Sequence, residues 1–103
     1  MRYEIVLSPD AVKDLRGLRA HIRAAVRDAL EKHLRHVPTR STRTRIKRLR
    51  GLSRPQYRLR EGDVRVFYDV VGDTVEVLAI VAKRNAAAWL ERAGEGDEDR
   101  CTE

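Results

Sequence analysis

Residues 57–82 read YRLREGDVRVFYDVVGDTVEVLAIVA, and this stretch decides the fold. Three β-branched or alternating runs, Tyr57 to Arg60, Val64 to Val71 and Thr74 to Ala82, are separated by Gly62 with Asp63 and by Gly72 with Asp73. A glycine supplies the positive φ that a two-residue hairpin turn needs, so the spacing predicts an antiparallel meander. If both turns hold two residues, counting gives the register. Arg60 then faces Arg65, Tyr57 faces Tyr68, Val70 faces Val75, Phe67 faces Leu78 and Arg65 faces Ile80.

One face of such a meander carries Tyr57, Leu59, Val64, Val66, Tyr68, Val70, Val75, Val77, Ala79 and Val81 and is the expected core. The other carries Arg58, Arg60, Arg65, Phe67, Leu78, Ile80, Ala82 and Arg84, which is four arginines around an apolar floor. Like charges on adjacent strands repel, so a sheet selected only to fold avoids them. A phosphate relieves that repulsion, and the planar guanidinium fork suits its oxygens. Floor residues Phe67, Leu78 and Ile80, with Trp89 beyond them, are expected to meet a protein partner.

Upstream, residues 39–54 read TRSTRTRIKRLRGLSR, with seven cations and no acid. The stretch reads as a poorly patterned basic segment. Arg43, Arg45, Lys47, Arg48 and Arg50, together with Lys83, are candidates for contacting RNA phosphates, with a solvated loop as the plainer alternative.

Before it, Ile22, Ala25, Val26, Ala29, Leu30, Leu34 and Val37 keep the spacing of one helix face up to Pro38. Ser8 and Pro9 begin a shorter helix that Gly17 loosens or ends. Tyr3, Ile5 and Leu7 alternate as a first strand. Downstream, Asn85 to Arg92 reads as a short helix capped by Asn85. The segment from Ala93 onward carries five acids against Arg100 and is expected to be a disordered tail.

The chain has 103 residues, enough for one domain, here taken as residues 1–92 followed by the tail at 93–103. Charged residues reach 37% and the formal charge is +6, a balance that favours a polyanionic partner. Cys101 stands alone, and no apolar run has the length of a signal or membrane segment, so a cytoplasmic protein with no membrane contact is expected. His21, His33 and His36 lack acidic or thiol partners at ligand spacing, and neither metal nor cofactor is expected.

The stretches KRLRG (47–51), YRLREGDVRVFYDV (57–70) and VEVLAIVAKR (75–84), in the order strand, two helices, meander and short helix, resemble the RelE/ParE toxin superfamily, and within it the RelE-like ribosome-dependent endoribonucleases. The likeness covers residues 2 to about 92. It implies an α+β fold: an N-terminal strand, a two-helix hairpin, a three-strand antiparallel meander completing a four-stranded sheet, and a short C-terminal helix. It also implies a type II toxin that cleaves messenger RNA on the ribosome and inhibits translation, with Arg58, Arg60, Arg65 and Arg84 acting on the scissile phosphate. A cognate antitoxin is the implied partner, and operator DNA is reached only through it. Two positions depart from the pattern: arginines stand on the second strand where lysines are frequent, and Trp89 and Leu90 occupy the region of a usual tyrosine. A ParE-like inhibitor of DNA gyrase and a catalytically inactive relative that binds antitoxin and nucleic acid are the alternative readings.

Overall fold

The computed structural model describes residues 2–96. Elements follow as β1 (Glu4–Leu7), α1 (Pro9–Arg16), α2 (Ala20–Ala29, continued by a π-helical turn over Leu30–Leu34), β2 (Ile46–Arg48), β3 (Leu52–Arg54), β4 (Tyr57–Glu61), β5 (Val64–Val71), β6 (Thr74–Ala82), α3 (Lys83–Ala93) and β7 (Glu95–Gly96). The main sheet runs β1-β6-β5-β4-β2, with β1 parallel to β6 and the other neighbours antiparallel. It therefore has five strands where four were expected. The addition is β2, hidden in the basic segment because Ile46 is its only apolar residue. Strands β3 and β7 form a separate ribbon, so the folded chain continues past Arg92 to Gly96. The rest of the acidic tail and Cys101 lie outside the described residues.

Both turns of the meander hold two residues, because Glu61 pairs with Val64 and Val71 with Thr74. Gly62 and Gly72 take φ of 57° and 61°, the glycine-first form of the hairpin turn. Ser8 caps α1 by accepting from the Ala11 amide at 3.0 Å, and Gly17 follows its last turn. Two helices cover one sheet face, with Ala11, Leu15, Val26, Ala29, Leu30 and Leu34 packed on Ile46, Leu59, Val66, Tyr68, Val75 and Val77. The Tyr68 hydroxyl is buried in this core and donates to the Pro38 carbonyl at 2.6 Å. Among the described residues no helix is long and apolar enough to cross a membrane.

The counted register holds from Val71–Thr74 to Tyr68–Val77 and then slips by one, so that Phe67 pairs with Ala79, Val66 with Ile80 and Arg65 with Val81. The extra residue, Leu78, makes a bulge, and a bulge reverses which face the following residues occupy. Ile80 therefore packs in the core with 3% of its surface exposed, while Ala79 and Val81 take the arginine face. That corrects the expected floor of Phe67, Leu78 and Ile80. Its cause lies in α1: beyond Val77 strand β1 no longer pairs, and side chains take over its hydrogen bonds. Ser8 Oγ donates to Leu78 O at 3.0 Å, and Asp14 Oδ2 accepts from Ile80 N at 3.0 Å.

At the C-terminal end, α3 begins at Lys83, two residues before the expected Asn85 cap, with no side chain capping it. The Lys83 amide instead donates to Asp63 O at 2.7 Å, tying the helix start to the first hairpin turn. Helix α3 lies on the arginine face of the sheet, against β5 and β6.

Candidate nucleic-acid interface

The β4–β5 register brings Arg58 opposite Phe67 and Arg60 opposite Arg65, as turn counting expects. Strand β2 extends the two rows, because Lys47 pairs with Arg58 and the Arg60 amide bonds Arg45 O at 2.8 Å. One row across the sheet is thus Lys47, Arg58, Phe67 and Ala79. The next is Arg45, Arg60, Arg65 and Val81. Five cations stand on neighbouring strands about 4.8 Å apart, close enough for their like charges to repel one another.

The three central arginines differ in surroundings. Arg60 is exposed; Arg58 is half-buried, and its Nε is enclosed with no hydrogen-bond partner among the described residues. Burial, and then the charges of Arg65 and Arg60, hold Arg58 below the usual guanidinium range. An enclosed donor that lacks a partner is costly, so Arg58 is kept in this position against a penalty. Arg65 is only 6% exposed, although turn counting places it on the face opposite the expected core. Its Nη1 donates to Gly62 O at 2.9 Å and Val64 O at 3.1 Å, bracing the hairpin turn from below. Burial and Arg60 lower its proton affinity, with Asp63 opposing.

No hydrogen bond among the described residues joins Arg84 to this group. It is exposed in the first turn of α3 and lines a concavity with Asp63, Ala82 and Lys83 on the other side of the Gly62 turn. The expected RNA-binding residues also divide. Lys47 and Arg50 line one hollow with Leu49, and Arg43 is exposed. Arg45 forms an ion pair with Glu61 at 2.9 Å. Arg48 stacks its guanidinium 5.1 Å above the Tyr57 ring, which itself stacks on Tyr68.

The apolar floor is covered from within the chain. Phe67 has no exposed surface and lies under Trp89, with ring centroids 4.9 Å apart. With Ile80 turned into the core, neither is open to a partner, and Leu78 and Trp89 remain part-exposed. Sequence reading missed Thr44 and Glu61, which sit beside Arg45. Thr44 gave no signal among the basic residues, whereas hairpin counting already set Glu61 at the turn.

The sequence model of the family described as the ParE toxin of the parDE type II toxin-antitoxin system matches residues 5–86. Among solved structures, the RelBE2 toxin-antitoxin complex of Mycobacterium tuberculosis matches with TM-score 0.66 and 26% identity, covering 80% of this chain and 99% of that one. The archaeal RelE-RelB complex of Pyrococcus horikoshii gives 0.61 and 26%, over 81% and 97%. Free E. coli toxin RelE, carrying two arginine-to-alanine substitutions, gives 0.67 and 24%, over 90% and 95%, a likeness of fold. No curated protein matches the sequence.

Proposed function

The chain belongs to the ParE toxin family of type II toxin-antitoxin systems, and from that premise we propose that it acts as a RelE-like endoribonuclease, cutting messenger RNA on the ribosome. The observation that carries this reading is the convergence of Arg58, Arg60 and Arg65 on one face of β4 and β5. In the proposed reaction a ribose 2′-oxygen attacks the adjacent phosphorus. The O2′–P bond forms, the P–O5′ bond breaks, and a 2′,3′-cyclic phosphate and a 5′-hydroxyl result. Guanidinium groups stabilise the extra charge on the phosphoryl oxygens. They stay protonated and cannot serve as the base, so the 2′-proton leaves to water and O5′ takes one up from water.

The relatives solved with RelB support a cognate antitoxin as partner. An acidic segment placed over Arg58 and Arg60 would exclude RNA by occupying the same charges. The match to a family described as ParE favours a second reading, inhibition of DNA gyrase without cleavage. Mapping breaks in a translated messenger, alongside a supercoiling assay with gyrase, separates the two. Breaks with normal supercoiling support the nuclease, and lost supercoiling with intact messenger supports the gyrase inhibitor.

A further inference from the structure

A concavity of about 280 Å³ opens between β2 and the first hairpin turn, lined by Thr44, Arg45, Arg60 and Gly62. Its walls are fixed by hydrogen bonds within the fold. Thr42 Oγ1 accepts from the amides of Arg45 at 2.9 Å and Ile46 at 3.1 Å, and the Thr42 amide donates back to Ile46 O at 2.8 Å. The loop carrying Thr44 is thereby closed on itself before β2 begins.

The Arg45 guanidinium is held in the same way. A single nitrogen, Nη1, donates to both Glu61 Oε1 at 2.9 Å and Arg60 O at 3.2 Å. Its Nε and Nη2 donors have no partner among the described residues. Glu61 thus orients the group while leaving most of its donors for something else. Arg60, exposed and on the adjacent strand, is shared between this notch and the face of Arg58 and Arg65. The backbones of Arg45 and Arg65 are two strand spacings apart, roughly 10 Å, and their guanidinium groups are tied to different carbonyls, Arg45 to Arg60 O and Arg65 to Gly62 O.

Resting on the RNA-cleaving reading, we infer that the notch of Thr44, Arg45 and Arg60 is a second phosphodiester site, holding the backbone phosphate next to the one bound at Arg58 and Arg65. The Arg45 Nε and Nη2, the Thr44 hydroxyl and the Arg60 guanidinium supply its donors. The chain grips an RNA strand by two successive phosphates, so the reacting linkage cannot slide along the arginine face.

The test uses a 2′-O-methyl RNA hexamer, which cannot be cut, carrying one neutral methylphosphonate linkage at each position in turn. Affinity for the full chain is measured by fluorescence anisotropy at low salt. Two adjacent linkages are expected to matter, each weakening binding about tenfold, the size of one charge-assisted contact. Arg45→Gln removes the penalty at one of the two and leaves the other. Thr44→Val, which leaves the Arg45–Glu61 pair intact, reduces the penalty at that same linkage, so a folding defect of the arginine variant does not decide the outcome. An RNA bound with one sensitive linkage, or a profile that neither variant changes, overturns the second site alone. An RNA that is not bound at all overturns the second site, while the nuclease reading stands or falls on the breaks mapped in a translated messenger.

Discussion

The indole of Trp89 lies on the ring of Phe67, 4.9 Å between centroids and 6° from parallel, so α3 roofs the apolar part of the arginine face. The gap beyond Gly94 is short, and Ser53 Oγ bonds Glu95 O at 3.2 Å, so the β3–β7 ribbon fastens the far end of the helix. Phe67 is therefore an internal residue, covered in part by the Trp89 ring. Trp89→Ala should expose it, cost about 2 kcal/mol and lower Tm by several degrees. Thermal unfolding checks this, and an unchanged Tm would mean that the stack contributes nothing.

Asp14 holds the bulge of β6 from 66 residues away, by accepting from the Ile80 amide. Asp14→Ala leaves that amide without its partner and should destabilise by about 1–3 kcal/mol, whereas Asp14→Asn keeps an acceptor and should cost less. Urea unfolding of the pair gives the comparison. Equal losses would show that the charge, and not the acceptor, supports the bulge.

The bulge also marks where sequence reading stops. Hairpin lengths and the β4–β5 register follow from Gly62, Gly72 and the alternation of Tyr57, Leu59 and Arg58, Arg60, so three of the four expected site arginines were placed on the correct face. From Leu78 to Val81 every residue is apolar, and both phases of alternation fit. The phase is set by Ser8 and Asp14, whose reach across the fold no local pattern records. Strand β2 was missed for a different reason. Its pairing with β4 is made by backbone, while its side chains are one isoleucine between cations.

Tyr68→Phe tests the buried phenol hydroxyl of β5. It leaves the Pro38 carbonyl without its donor and should cost about 1–3 kcal/mol, with no change in secondary structure by circular dichroism. Burial, and then Tyr57, push the Tyr68 phenol far above its ordinary range. An alkaline spectral titration of the folded protein should accordingly show one tyrosine that does not ionise with the others.

Asp69 stands opposite Glu76 across β5 and β6, accepts from the Gln56 amide at 2.7 Å and lies 3.4 Å from the Nε of Arg54. Burial raises its carboxyl affinity for protons, outweighing the lowering by the Gln56 bond and Arg54. The folded chain then binds the proton more readily than the unfolded one, and stability from this group is lost as pH rises through the raised value. Asp69→Asn keeps the acceptor for Gln56 and removes the titration. The variant should gain on the parent as pH is raised from about 4 towards 7, measured by denaturant midpoints. A constant difference, or the opposite trend, would contradict the assignment.

The central claim is that the arginine face acts on RNA, and Arg60 tests it most directly because it is exposed and its side chain makes no internal hydrogen bond among those described. The measurement is primer extension along a messenger translated in the presence of the protein or its Arg60→Ala variant. Loss of one transition-state contact of about 3–4 kcal/mol predicts discrete breaks with the parent and at least a hundredfold fewer with the variant, the variant folding normally. A messenger left intact by the parent, or cut equally by both, would contradict it.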